Sequence, residues 1–154
     1  MCADDKYTHG QRSITCLASG EWSSYDYACC DCDTSFTVTG DCECFKIRGP
    51  KKTYPDAIDL CFDNKEQVAV IGSAEQLQSL SGIATSEIIR IAGKYSNSKW
   101  IFDDTVLDWI DNLPNHLKAF SSDPASLAFQ MIGNKVALVD ISYGEKKDVL
   151  CQKP

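Results

Sequence analysis

Nine cysteines stand in a chain of 154 residues, and they are its most reactive side chains. Cys2, Cys16, Cys29, Cys30, Cys32, Cys42 and Cys44 crowd the N-terminal part, while Cys61 and Cys151 lie far apart in the remainder. Dense cysteines at the front with a long-range couple behind are the arrangement of a secreted disulfide framework. The rival is a metal cluster built from Cys29-Cys30-Asp31-Cys32 and Cys42-Glu43-Cys44. Structural zinc sites usually separate the ligands of a pair by about two to four residues; a single intervening residue strains a tetrahedral chelate. An odd number of cysteines leaves at least one thiol free, intermolecular or parted from its partner, so a disulfide-linked dimer stays open. Thiol exchange at Cys29-Cys30-Asp31-Cys32 is disfavoured, because a reactive thiolate needs an electropositive surround and Asp31 and Asp33 supply the opposite.

The remaining chemistry-bearing groups are sparse. His9 and His116 are the two histidines, at opposite ends of the chain and in no motif. There is no Gly-x-Ser-x-Gly elbow, His-Glu-x-x-His helix or phosphate loop, so catalysis is not expected and no cofactor is implied. Asp103, Asp104, Asp108 and Asp111 form an acidic stretch that could hold a cation but reads more simply as a solvated face. A net charge of −7 argues against nucleic acid as a partner. No apolar run approaches the ~20 residues of a membrane span. A composition of 44% hydrophobic and 24% charged residues is that of a globular protein. Met1 precedes Cys2 with no basic and apolar leader behind it, so the chain reads as a mature secreted or extracellular fragment.

These groups must be positioned by a mainly β scaffold. Residues 1–31 are polar and turn-rich, with a short alternating strand at Arg12 to Leu17 and a turn at Ser19 to Ser23. Ser35 to Thr39 and Cys44 to Ile47 predict a hairpin around Gly40-Asp41, stopped by Gly49-Pro50. Thr53 caps a helix whose Tyr54, Ala57, Ile58, Cys61 and Phe62 fall on one face. Gln67 to Ile71 reads as a buried strand. Ser73 with Gln76 forms a capping box that opens a second helix, with Leu77 and Leu80 inward and Gly82 as its stop. Ile88, Ile89 and Ile91 mark another strand. Residues 94–124 read as a long structured loop region, and strands follow at Leu127 to Ile132, Lys135 to Ile141 and up to Cys151.

Taken in order, these pieces carry a resemblance. The Thr53–Phe62 helix with its Cys61, Val68-Ala69-Val70-Ile71 before Ser73-Ala74-Glu75-Gln76, and Ile88 to Gly93 come first. Lys99-Trp100-Ile101-Phe102-Asp103-Asp104 and the closing Val149-Leu150-Cys151-Gln152-Lys153-Pro154 complete the set. From residue 32 to residue 154 the chain resembles the C-type lectin-like domain, an α+β fold of two helices, antiparallel sheets and a long structured loop region. The resemblance implies a central Cys61–Cys151 disulfide, whose loop of about 90 residues would contribute on the order of 4–5 kcal/mol in the chain-entropy model. It also implies a hairpin disulfide from Cys32 to Cys44, with Cys42 as the alternative. Residues 1–31 are similar to part of a sushi (complement control) module, a small disulfide-rich β unit. That likeness implies Cys2–Cys29 and leaves Cys16 free or paired with Cys30 or Cys42.

The resemblance also implies where a ligand would sit. Its calcium-dependent sugar site takes oxygens from a Glu-Pro-Asn or Gln-Pro-Asp tripeptide and from Trp-Asn-Asp. Those positions read Leu113-Pro114-Asn115 and Leu138-Val139-Asp140, which leaves Asn115 and Asp140, with Asp123 nearby. Calcium needs about six to eight oxygens, so no metal site is expected. The second inner disulfide of the family has no counterpart; Ala128 and Tyr143 stand about where its cysteines would be. Trp100, Phe102, Trp109 and Ile110 are the expected packers beneath the loop region. The expectation is a calcium-independent extracellular binding or adhesion module that recognises a protein or cell-surface partner. The alternative is a glycan bound at a non-standard site of Trp109, Asn115 and Asp140.

Overall fold

The computed structural model describes residues 6–9, 16–21, 28–39, 42–113 and 124–154, with the backbone alone at 6–9 and 28–31. The chain divides into two compact units, Met1–Cys44 and Phe45–Pro154.

In the first unit, β1 (Lys6–His9) pairs antiparallel with β2 (Ala28–Asp33), with a register shift between Lys6 and Tyr7. Cys32 is joined to Cys44 across a Cα separation of 5.7 Å, as the resemblance implied. Both are buried, with Phe36, Val38 and Cys42 packed against them. Beside β3 (Thr37–Val38), the amide of Thr39 donates to Glu43 (3.1 Å) and that of Cys42 to Thr39 (3.0 Å). The turn expected at Gly40-Asp41 is thereby bracketed, although those two residues lie outside the described ones. Cys42 is also disulfide-bonded, and Cys16 is free and exposed. The Cys2–Cys29 pairing lies outside the described residues, as does the strand expected from Arg12, apart from Cys16 and Leu17.

The second unit is built on a sheet in the order β10-β9-β6-β11-β4. Its members are β4 (Cys44–Lys52), β6 (Ile89–Ser96), β9 (Ala125–Ile132), β10 (Lys135–Ser142) and β11 (Lys147–Gln152). Neighbours are antiparallel except β11 with β6, which run parallel. Between β4 and β6 come α1 (Tyr54–Asp63), β5 (Gln67–Val68) and α2 (Ala74–Ser79). The main core collects Phe45, Ile71, Leu77, Leu80, Ile89, Ile91, Trp100, Leu107, Ile110, Leu127, Phe129 and Leu150. The fold class is the expected α+β.

α2 follows its capping signal closely. Ser73 Oγ accepts from the Gln76 amide at 3.1 Å, Gln76 Oε1 accepts from the Gly72 amide at 2.6 Å, and Leu77 and Leu80 are buried. Gln78 then grips the free edge of the sheet. Its Nε2 donates to the Val136 carbonyl (2.8 Å) and its Oε1 accepts from the Val136 amide (3.3 Å), which blocks that stretch of edge backbone.

Four expectations are corrected. β4 does not stop at Gly49-Pro50 but continues to Lys52. The cis Pro50 lies where the ladder with β11 changes register between Lys147 and Val149, so its missing amide removes no ladder bond. β5 covers only two residues, and Ala69 continues the path through irregular bonds to Leu150 and from Ala92.

On α1, Tyr54, Ala57 and Cys61 are buried, but Ile58 and Phe62 are 43% and 77% exposed. At 3.6 residues per turn each is rotated about 100° from the preceding contact residue, beyond the narrow strip that Cys61 holds to the sheet. The loop region begins as a meander. Asn97 and Ser98 both have positive φ (52° and 63°), the geometry of a tight hairpin turn, between β6 and β7 (Lys99–Phe102). Asp103 (φ 50°) turns the chain again into β8 (Thr105–Val106), followed by a 3₁₀ turn at Asp108–Asn112.

The Cys61–Cys151 bridge, with a Cα separation of 5.6 Å, pins α1 to β11. Replacing both cysteines by alanine is expected to lower the unfolding free energy by about 4–5 kcal/mol in the chain-entropy model, measured by chemical denaturation. A second substitution reports on β6. Gly93 has φ +138°, and a Cβ there would stand 2.4 Å from Leu127 Cδ1, whereas Gly133 (φ +63°) faces open space. Gly93→Ala is expected to cost roughly 3 kcal/mol or more from overpacking and backbone strain together, and Gly133→Ala only about 1 kcal/mol. Equal losses would show that the Leu127 contact is not what requires glycine at Gly93.

Candidate functional site

Of the four ligand-binding candidates, Trp109 and Asp140 lie within the described residues. Trp109 lies in the 3₁₀ turn, half-buried against the main core, with its indole N–H donating to the Ile71 carbonyl at 2.9 Å. Both ends of the side chain are thus engaged in holding the loop region to the scaffold. Trp100 and Ile110 are buried and Phe102 partly so, as the packing role requires. Asp140 sits on β10 opposite Leu127 of β9, and its Oδ2 is buried without a hydrogen-bond partner. Asn115 and Asp123 lie outside the described residues, as does His116.

The calcium donor set does not fit the positions that are described. Leu113, where an amide or carboxylate would be needed, packs against the main core. Val139, where an asparagine would be needed, is a half-buried residue of β10 opposite Ala128. Hydrocarbon side chains carry no lone pairs for a hard cation, so of these positions Asp140 alone offers oxygens. Among the described residues, no three His, Cys, Asp or Glu side chains are grouped to hold a metal. Asp103, Asp104, Asp108 and Asp111 are all exposed, the solvated arrangement expected of them.

A polar cluster that the sequence reading passed over lies beneath β6. Arg90 is fully buried. Its Nη1 donates to Ser126 Oγ on β9 and its Nη2 to the backbone carbonyl of Glu145 in the turn before β11, while Nε has no partner. The guanidinium lies 5.8 Å from the centre of the Tyr54 ring, close enough for a cation–π contribution.

Burial pulls the Arg90 pKa below its usual range, and Glu145, Tyr54 and Tyr143 oppose that shift. Tyr54 stacks at 4.9 Å on Tyr143, donates its backbone amide to the Tyr143 carbonyl (3.0 Å), and accepts the Gly93 amide on its hydroxyl (3.1 Å). One buried cation therefore ties β6, β9, the start of α1 and the last turn together. Its signal in the sequence is a lone charge inside the apolar run Ile88-Ile89-Arg90-Ile91-Ala92.

A more conventional pair holds the segment between α1 and β5 to β4. Arg48 makes a two-pronged contact with Glu66, Nε to Oε2 at 2.6 Å and Nη2 to Oε1 at 2.5 Å, and the Glu66 side chain is nearly buried.

No protein-family model and no curated protein matches the sequence. Solved structures match it in shape. A calcium-independent type II antifreeze protein aligns with a TM-score of 0.59 and 23% identity, covering 79% of this chain and 93% of its own. A calcium-dependent type II antifreeze protein in its calcium-free form gives 0.63 and 18%, over 80% and 100% of the two chains. The carbohydrate-recognition domain of the mouse scavenger receptor C-type lectin gives 0.61 and 18%, over 79% and 97%. The chain has the C-type lectin-like fold. No comparison supports a sushi-like module before it.

The polar cluster predicts a pH response. Burial raises the Tyr54 pKa above its usual 10, reinforced by Tyr143 and Asp103 and opposed by the Gly93 amide and Arg90. The folded state therefore keeps its phenol proton above pH 10 while the unfolded chain releases one, so stability is full below about pH 10 and falls as pH rises through the raised value. Tyr54→Phe is expected to flatten this alkaline loss relative to the unsubstituted chain, measured as unfolding free energy from pH 8 to 11. Identical slopes for the two proteins would refute it.

Proposed function

We propose that this chain is an extracellular, non-catalytic binding module that recognises a protein partner without calcium. The observation that carries this reading is the replacement of calcium-donor positions by packed hydrocarbon, Leu113 against the core and Val139 on β10. The disulfides Cys32–Cys44 and Cys61–Cys151 fit an oxidising compartment, and no described helix is long and apolar enough to cross a membrane. Loops carried on a cross-linked scaffold are a common place for recognition surfaces, here the segment 94–124 with Asn134–Asp140 beside it.

Solved proteins of this fold include an antagonist of a collagen-receptor integrin and a murine dendritic-cell receptor domain in complex with N-glycan. The alternative, a glycan bound through Trp109, Asn115 and Asp140 with Asp123 a further candidate, is favoured by one observation, the buried Asp140 Oδ2 with no partner. The sushi-like reading of residues 1–31, the boundary between residues 31 and 32, and a dimer linked through an unpaired cysteine are proposals resting on the sequence.

Thermal unfolding with and without millimolar calcium tests the reading. No shift in the midpoint is expected. A stabilisation of about 2.7 kcal/mol, the value for a ligand at a hundredfold its dissociation constant, would overturn the calcium-independent reading and restore a calcium-dependent sugar site.

A further inference from the structure

We propose that the outer face of α1 is a docking surface for a protein segment that sets an apolar side chain beside lysine or arginine. The proposal rests on the binding-module reading for the class of partner, and it places that partner on a face other than the loop region.

Phe62 is 77% exposed and Ile58 43% exposed, one turn apart on the same side of the helix. Each is followed by an aspartate, Asp59 and Asp63, and Asp56 continues the acidic ridge one turn earlier. Between the ridge and β4 lies a hollow of about 210 Å³ lined by Lys52, Asp56, Asp59, Leu60 and Asp63. Three carboxylates face one ammonium there. At ~30 Å³ per water, the hollow has room for one long basic side chain in place of several waters.

The helix carries these features at a cost to its own stability. Asp59 and Asp63 are like charges four residues apart, a destabilising spacing. Asp63 stands at the C-terminal end, where the helix dipole already concentrates negative charge, and the last turn has no basic residue. Neither Asp59 nor Asp63 makes an ion pair among the described residues. An incoming cation would relieve both repulsions, and an apolar neighbour would cover Phe62 and Ile58.

The same charge pattern decides against the other occupants. A second copy docked face to face would set aspartate against aspartate. An anionic lipid surface would be repelled.

The probe is a synthetic helical peptide with two leucines one turn apart flanked by lysines, titrated into the isotopically labelled full chain. The control peptide has glutamate in place of each lysine. Saturable NMR shifts centred on the α1 amides are expected, with affinity falling as salt rises. Phe62→Ser and the double substitution Asp59→Lys, Asp63→Lys are each expected to weaken binding at least tenfold without lowering the melting temperature; both alter exposed positions, so each checks the other.

Equal binding of the glutamate peptide, unchanged affinity in the variants, or shifts centred elsewhere would overturn the proposal. So would calcium alone reproducing the shifts at Asp56, Asp59 and Asp63, which would make the hollow a cation site. Self-association of the unsubstituted chain that Phe62→Ser abolishes would overturn it too. A protein partner that binds through the loop region, with both α1 variants binding it normally, would remove this proposal and leave the binding-module reading standing. Peptide gripped at α1 by a chain that calcium stabilises through the loop region would keep this proposal and remove the calcium-independent reading.

Discussion

The last strand occupies the middle of the sheet, and most of the second unit follows from that. β11 pairs with β4 on one side and runs parallel to β6 on the other, and β5 joins it as well. Val149, Leu150 and Cys151 are fully buried. The sheet therefore cannot close until the end of the chain has returned to its start, a contact of long sequence separation with a high ordering cost. The Cys61–Cys151 bridge acts on that contact directly. By holding α1 to the far end of β11, it reduces the unfolded chain's freedom where the native fold most needs its ends together. Residues 62–150, loop region included, are carried inside this covalent loop.

Arg90 serves the other end of the same strand. A buried guanidinium is costly to desolvate, and the structure offsets this with the Glu145 charge and carbonyl, the Ser126 hydroxyl and the face of Tyr54. Those partners come from β9, the turn before β11 and α1, so the cation ties β6 and β9, which the disulfide does not reach, to the start of α1. Gly93 belongs to this arrangement. Without a side chain, its backbone passes close to Leu127 and donates to the Tyr54 hydroxyl.

Residues 94–113 of the loop region are held by hydrophobic and polar contacts. Trp100, Leu107 and Ile110 are buried, Trp109 is pinned to the Ile71 carbonyl, and the meander of β7 and β8 supplies backbone bonds. Hydrocarbon at Leu113 and Val139 contributes to packing and gives up lone pairs for a cation. The same chain leaves Phe62 and Ile58 in solvent beside three aspartates, so its apolar and charged surface is not confined to the loops.

The sequence alone determined what depends on local chemistry and on order along the chain. The capping box at Ser73 and Gln76 and the strands around Gly133-Asn134 are legible there because each is set by residue type within a few positions, while the Cys61–Cys151 couple and the missing calcium donors at Leu113 and Val139 are what the resemblance implied. Tertiary structure decided the rest. Helical period groups Ile58 and Phe62 with Ala57 and Cys61, but only the width of the contact with the sheet determines which of them are covered. Asn97-Ser98 makes a hairpin turn because Lys94 to Ser96 and Lys99 to Ile101 find each other in register. Arg90 reads as a charge misplaced in an apolar strand until Ser126, Glu145 and Tyr54, distant in sequence, are brought around it. Its burial is tolerable only through contacts that no local pattern encodes.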